Sequence, residues 1–256
     1  MITIPKLSLY GLNIEFKELT FEDSLILATM PPQNIEANTT AFLKKVVSCA
    51  TIENVLDWTV QQRIIAVIHF QLQMHYAESG DFNFEVGNGT YAVDYFDFSK
   101  KADHDSVPIE FAGDSYKLVH LTGRMSESVE RIKSEFNVDL SDAGCWELGC
   151  LSAQLIREGE QTEFSSDTDY DDFLLKKIKT FKAFPDTDLD KLIIFYLFNS
   201  EKLHHLVKLV FTEKGIAVLE KPKLEKPAAE GGLAKLSSAQ FLIHSCLSAN
   251  AIRLAK

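Results

Sequence analysis

A chain of 256 residues with 46% apolar and 25% charged side chains has the composition of a globular protein able to bury a core. Its net charge of −11 argues against a groove that tracks nucleic-acid phosphates, and its longest apolar run, Leu192–Phe198, is too short to span a bilayer. The charge is uneven, because residues 201–256 hold nine Lys and Arg against five Asp and Glu on an otherwise acidic body.

In chain order, Ser8 to Glu18 alternates as a strand pair, with Gly11 and Asn13 at the turn. Thr20 caps a short helix over Phe21–Ala28, which Pro31 and Pro32 end. A second helix is expected from Ile35 to about Ala50, with Phe42, Leu43, Val46 and Val47 apolar. The third and longest begins at Asp57-Trp58-Thr59. Thr59 and Gln62 have the spacing of a capping box, and Val60, Ile64, Val67, Ile68 and Leu72 fall on one face. Ile65 and Phe70 widen that stripe, so this helix should be covered on more than one side.

Phe82–Val86 and Tyr91–Val93 read as a hairpin around Gly87-Asn88-Gly89, and 107–111 with 116–121 as a second. Helices follow from about Ser126 to Phe136 and from a Ser141 cap to about Ile156. Residues 158–172 are acidic and serine-rich and read as a surface loop. Helices over 172–184 and 188–199 come next, then a hairpin around Glu213-Lys214-Gly215. A Pro/Gly-containing stretch then leads to a terminal amphipathic helix.

The expected architecture is α+β. It comprises a helix-rich domain over 1–160 built around the central helix with small antiparallel hairpins, an acidic loop at 161–172, a helix–helix–hairpin unit at 173–220, a linker at 221–236 and the terminal helix at 237–256. Phe241, Leu242 and Cys246 lie near one face of that last helix and are the candidate partner-binding residues. The alternative is that the helix folds back on its own chain. Phe16–Thr20 and Leu118–Thr122 echo each other as strand, Leu-Thr, helix, either by chance or by duplication.

Few motifs in the chain point to chemistry. Gly87-Asn88-Gly89-Thr90-Tyr91-Ala92 matches a dinucleotide fingerprint but precedes a strand, so no helix N-terminus would meet a pyrophosphate. Asp167–Asp172 opens like an EF-hand loop, yet has Asp172 in place of the required Gly and Ile178 in place of the final Glu. The histidines lack metal-ligand spacing, and no Ser sits in a nucleophile elbow. The four cysteines, at 49, 145, 150 and 246, read as free thiols of a reducing cytoplasm, and Met1–Pro5 lacks the basic start of an export leader. No catalytic residue, cofactor or metal is expected.

Three stretches carry a resemblance: Phe16 to Leu27, the helix start Asp57–Arg63, and Leu121-Thr122-Gly123-Arg124, with the aromatic hairpin between them. In this order they resemble tail and baseplate-region proteins of Mu-like and related long-tailed bacteriophages, and more distantly baseplate hub assembly proteins and tail assembly chaperones. The resemblance covers about residues 10–135. It implies a non-enzymatic structural component of the tail or baseplate. Its partners would be other tail proteins in an oligomeric assembly, with no nucleic acid and no membrane span. It would be found in the host cytoplasm during assembly and in the virion if structural. An assembly chaperone absent from the mature virion is one alternative. A small hydrolase or metal-binding enzyme using the acidic stretch is another.

Overall fold

The computed structural model describes residues 4–75, 84–87, 89–137, 139–221 and 237–255. Its elements run β1 (Leu7–Leu9), β2 (Leu12–Phe16), α1 (Phe21–Ala28), α2 (Ile35–Val46), β3 (Val47–Ala50) and α3 (Val60–His75). They continue as β4 (Glu85–Gly87), β5 (Thr90–Tyr91), β6 (Ser106–Phe111), β7 (Asp114–Val119), α4 (Gly123–Ile132), α5 (Asp142–Gln154) and β8 (Leu155–Arg157). The chain closes with α6 (Asp167–Lys182), α7 (Asp186–Ser200), β9 (Lys208–Thr212), β10 (Gly215–Leu219), β11 (Ser238–Ala239) and α8 (Ala249–Leu254). The fold is α+β, with antiparallel sheets β1-β2-β3, β4-β5, β6-β7-β8 and β11-β10-β9.

Two apolar cores share α3. Ile65, Val67, Ile68 and Phe70 enter the first with Leu12, Ile14, Phe42, Leu43 and Trp58. Val60 enters the second with Leu118, Val129, Trp146, Leu151, Leu174 and Ile178, while Ile64 packs against both. Trp58, Ile65, Ile68 and Phe70 are fully buried, so each contributes about 1.5–3 kcal/mol of transfer free energy. The hairpin β9–β10 also serves both cores: Val218 points into the first and Ile216 into the second. The cores therefore cut across the ranges 1–160 and 173–220.

Local signals place most helix starts where the sequence puts them. Thr20 Oγ1 accepts from Asp23 N–H at 3.0 Å and Ser141 Oγ from Gly144 N–H at 3.0 Å. At Thr59 the capping box closes in both directions, at 2.9 and 3.2 Å. Both Leu-Thr echoes end on a capping threonine, since Thr122 Oγ1 faces Met125 N–H at 3.4 Å. Ala112 and Gly113, at φ +52° and +84°, make the two-residue turn between β6 and β7 that left-handed backbone allows.

Several expectations need correction. The second helix stops at Val46, because Val47–Ala50 pairs antiparallel with β2. The helix capped by Ser141 stops at Gln154, because Leu155–Arg157 pairs with β7. In both cases apolar residues that fit a helix face complete a sheet edge instead. The acidic stretch is only partly a loop: Ser166 caps α6, and Asp167 and Asp171 lie in its first turns. After β5 the chain enters a short 3-10 turn at Ala92–Asp94 in place of a longer strand; residues 82, 83 and 88 of that expected hairpin lie outside the described residues.

The largest correction concerns residues 237–256. No single terminal helix forms. Ser238–Ala239 extends the β10 edge as β11, Ile243–Cys246 makes a 3-10 turn, and only Ala249–Leu254 is α-helical. Ala239, Ile243, Cys246 and Leu247 are buried in the first core. An open strand edge with unpaired backbone groups competes well with an isolated helix of this length. Most of the expected linker, 222–236, lies outside the described residues.

Candidate functional site

The two helix-start stretches singled out in the sequence meet in space. Val60 N–H donates to Leu121 O at 2.9 Å, Gly123 N–H to Trp58 O at 2.9 Å, and Arg124 N–H to Leu56 O at 2.8 Å, with Thr59 and Thr122 paired antiparallel. A short ladder thus satisfies first-turn N–H groups of both α3 and α4 that no helix can satisfy internally. Arg124 also reaches Asp167 at 2.7 Å, tying the start of α6 to the same junction.

Beneath the junction lies a buried polar layer. Arg63 is 1% exposed; its Nη2 donates to Glu36 O at 2.9 Å and to Thr40 Oγ1 at 2.8 Å, with Glu36 Oε2 at 3.8 Å. Ser126 Oγ donates to Glu36 Oε2 at 2.7 Å. Asn34, at the start of α2, makes no side-chain cap; the carboxylate of Glu130 on α4 accepts the Glu36 and Ala37 N–H groups instead, at 2.9 and 3.0 Å. Burial pushes the Glu130 carboxyl up to about 7, against the lowering effect of those two N–H bonds. Arg131 clamps Asp171 through Nε and Nη2, both at 2.8 Å, and the acidic start of α6 is thereby docked on α4.

The junction is the floor of the main cleft, of about 390 Å³. Gln61 from α3 and His120 and Leu121 from the α4 approach lie at its base. Glu147 and Gln154 of α5 form one wall, and the C-terminal end of α7 with β9 forms the other. Tyr196 O–H donates to Gln154 Oε1 at 2.8 Å, and Gln154 Nε2 donates to Val119 O at 2.7 Å, so this pair is fully engaged. Gln61 is 8% exposed, and its Oε1 has no hydrogen-bond partner; neither has His120 Nδ1. A buried polar atom left without a partner costs about 1–3 kcal/mol.

Three histidines converge here. Leu206, at φ +58°, turns the chain tightly, with Val207 N–H bonded to His205 O. His204 lines the cleft, while His205 is buried, its Nδ1 3.0 Å from Leu203 O and its Nε2 3.0 Å from Thr59 Oγ1. The His120 and His205 rings stand edge to face at 4.9 Å. Burial holds all three below the usual imidazole range; for His120, burial and then the His205 charge bring it down to about 4. Burial thus disfavours the charged imidazolium at each of them. The Thr59–His205 pair has the contacts of an activated hydroxyl, but Thr59 Oγ1 already accepts the Gln62 N–H and His205 is 1% exposed. Its role is to fasten the cap of α3 to the chain beyond α7.

The residues named for partner binding lie elsewhere, and only one of the three is exposed. The Phe241 ring packs half-buried on Phe96 and Tyr95, at centroid distances of 5.3 and 6.1 Å. Cys246 is 4% exposed, with Sγ 3.8 Å from Val67 O. Leu242 alone is open, at 39%. The more prominent apolar surface is on α7, where Ile194, Leu197 and Phe198 are 64%, 49% and 70% exposed. The sequence marked this run only as apolar; its outward face was concealed because Leu192 and Tyr196 of the same run are buried.

Among the described residues no three His, Cys, Asp or Glu side chains come together to hold a metal ion. No described helix is long and apolar enough to cross a membrane. Comparison of the chain with family models, with curated proteins and with solved structures finds no match.

Proposed function

We propose that this chain is a non-enzymatic component of a long-tailed bacteriophage tail or baseplate that acts through protein contacts during tail assembly. The observation that carries the reading is the apolar ridge of α7, with Ile194, Leu197 and Phe198 largely exposed on consecutive turns. Contiguous exposed apolar side chains of this size mark association surfaces, and buried aromatic anchors supply most of the energy at such surfaces. The ridge replaces residues 237–256 as the contact element of the proposal. Further support comes from the acidic stretch, where Asp167 and Asp171 are engaged with Arg124 and Arg131 instead of lining a reaction centre. The motif residues at 57–63 and 121–124 build a rigid junction beneath the cleft, as a scaffold for contacts requires.

The test is quantitative mass spectrometry of purified virions from the phage that encodes the chain. A fixed stoichiometry to the tail tube, in multiples of three or six, supports a structural subunit. Abundance in infected cells with absence from virions makes the chain an assembly chaperone. A gene outside any phage or prophage overturns both.

A further inference from the structure

We propose that the cleft beneath the C-terminal end of α7 receives an arginine side chain from the protein that docks on the α7 ridge. The inference rests on the docking reading for its source, and on the cleft itself for its chemistry.

Glu147 is a half-buried carboxylate on the wall of the cleft, with no cation or hydrogen-bond donor paired to it among the described residues. The other acid of the lining, Glu201, is already paired with Lys208. Gln61 lies at the base, more than nine-tenths buried, with Oε1 unpartnered. A cationic N–H donor entering the cleft would pair with the Glu147 carboxylate, beside the unsatisfied Gln61 amide of the same lining. The last turn of α7 also borders the site, and the carbonyl end of a helix favours positive charge. Burial disfavours protonation of His120 and His204 beside it, which lessens opposition to an entering cation.

The walls suit the stem of such a side chain. Leu121, Leu197, Leu203 and Phe211 give apolar surface along which its methylenes can lie while the charged head reaches inward. Leu197 belongs to both the cleft and the exposed ridge, so the two surfaces are continuous. The volume of about 390 Å³ falls within the range of sites that accept small ligands, roughly 300–1,000 Å³.

The full chain is titrated with N-acetyl-L-arginine methylamide and, in parallel, with the citrulline derivative, its neutral isostere, while amide resonances are followed by NMR. The expected result is saturable binding of the arginine derivative at millimolar concentration, with shifts at the Gln61 side-chain amide and around Glu147. Citrulline should bind at least tenfold more weakly, and Glu147→Gln should erase the difference. Equal binding of the two compounds, or no saturable shift around Glu147, overturns the proposal. The wild-type ratio decides the matter even where Glu147→Gln fails to fold. Tighter binding of butane-1,4-diamine than of the arginine derivative would also overturn it, in favour of a free amine. The docking reading is separable: association that survives Glu147→Gln unchanged sinks the cleft and keeps the ridge, whereas arginine binding in a chain that docks on nothing keeps the cleft chemistry and sinks the ridge.

Discussion

A Cβ built on Gly123 would stand 1.8 Å from Nη1 of Arg63. The first residue of α4 therefore has no room for any side chain, because the guanidinium of α3 fills that space. Arg63 cannot swing aside cheaply, since it is enclosed and bonded to Glu36 O and Thr40. Gly123→Ala should destabilise the protein by about 3 kcal/mol, the upper end of overpacking costs, read as a lower denaturant midpoint at unchanged slope.

Arg63→Met is expected to cost about 3–5 kcal/mol, because it leaves Glu36 buried without its countercharge. The Arg63→Met/Glu36→Gln double variant should recover part of that loss. Additive losses in a double-mutant cycle would show that the two side chains are not coupled.

Glu130 makes stability depend on pH. Its carboxyl sits at about 7 in the folded chain against an ordinary value of 4.5, so the folded state holds the proton more tightly than the unfolded state. Stability should accordingly be greatest below the unfolded value and fall as pH rises from about 4.5 through 7, by at most about 3 kcal/mol. Depressed His120 acts in the opposite direction. Its contribution is present above 6.5 and is lost as pH falls through about 4. Chemical denaturation of wild type and Glu130→Gln at several pH values separates the two, since the variant should keep only the acid-side loss.

Deletion of residues 237–256 should destabilise the body instead of leaving it intact. It removes Ala239, Ile243, Cys246, Leu247 and Ala251 from buried positions and strips the β10 edge of its partner. Thermal unfolding and exposure of apolar surface to a reporter dye measure the effect. An unchanged melting temperature would show that the segment is not part of the first core.

Phe198→Asp should leave stability within about 0.5 kcal/mol, because the ring is 70% exposed, with the Lys202 ammonium lying over it at 5.5 Å. If the α7 ridge is the docking surface proposed above, association with its partner should fall at least tenfold, read by sedimentation or surface binding.

Sequence by itself determined the side-chain-capped starts of three helices and the class of the fold. Thr20, Thr59 and Ser141 cap helices through bonds that span three residues, and such bonds are legible wherever the side chain and its target are neighbours in the chain. The breadth of apolar residues on α3 likewise announced an element covered on several sides. Tertiary structure decided what depends on distant partners. α2 and α5 end where β2 and β7 offer strand edges, α2 is capped by Glu130 from 94 residues away, and the last segment joins β10 instead of forming its own helix. The cleft belongs to the same class. Gln61, His120, Glu147 and Tyr196 share no spacing that chemistry could recognise in one dimension, and only the packing of α3, α5 and α7 around a common junction brings their polar atoms to one place. Local hydrogen bonds are written in adjacent residues, whereas burial and charge pairing between remote elements exist only once the chain has closed on itself.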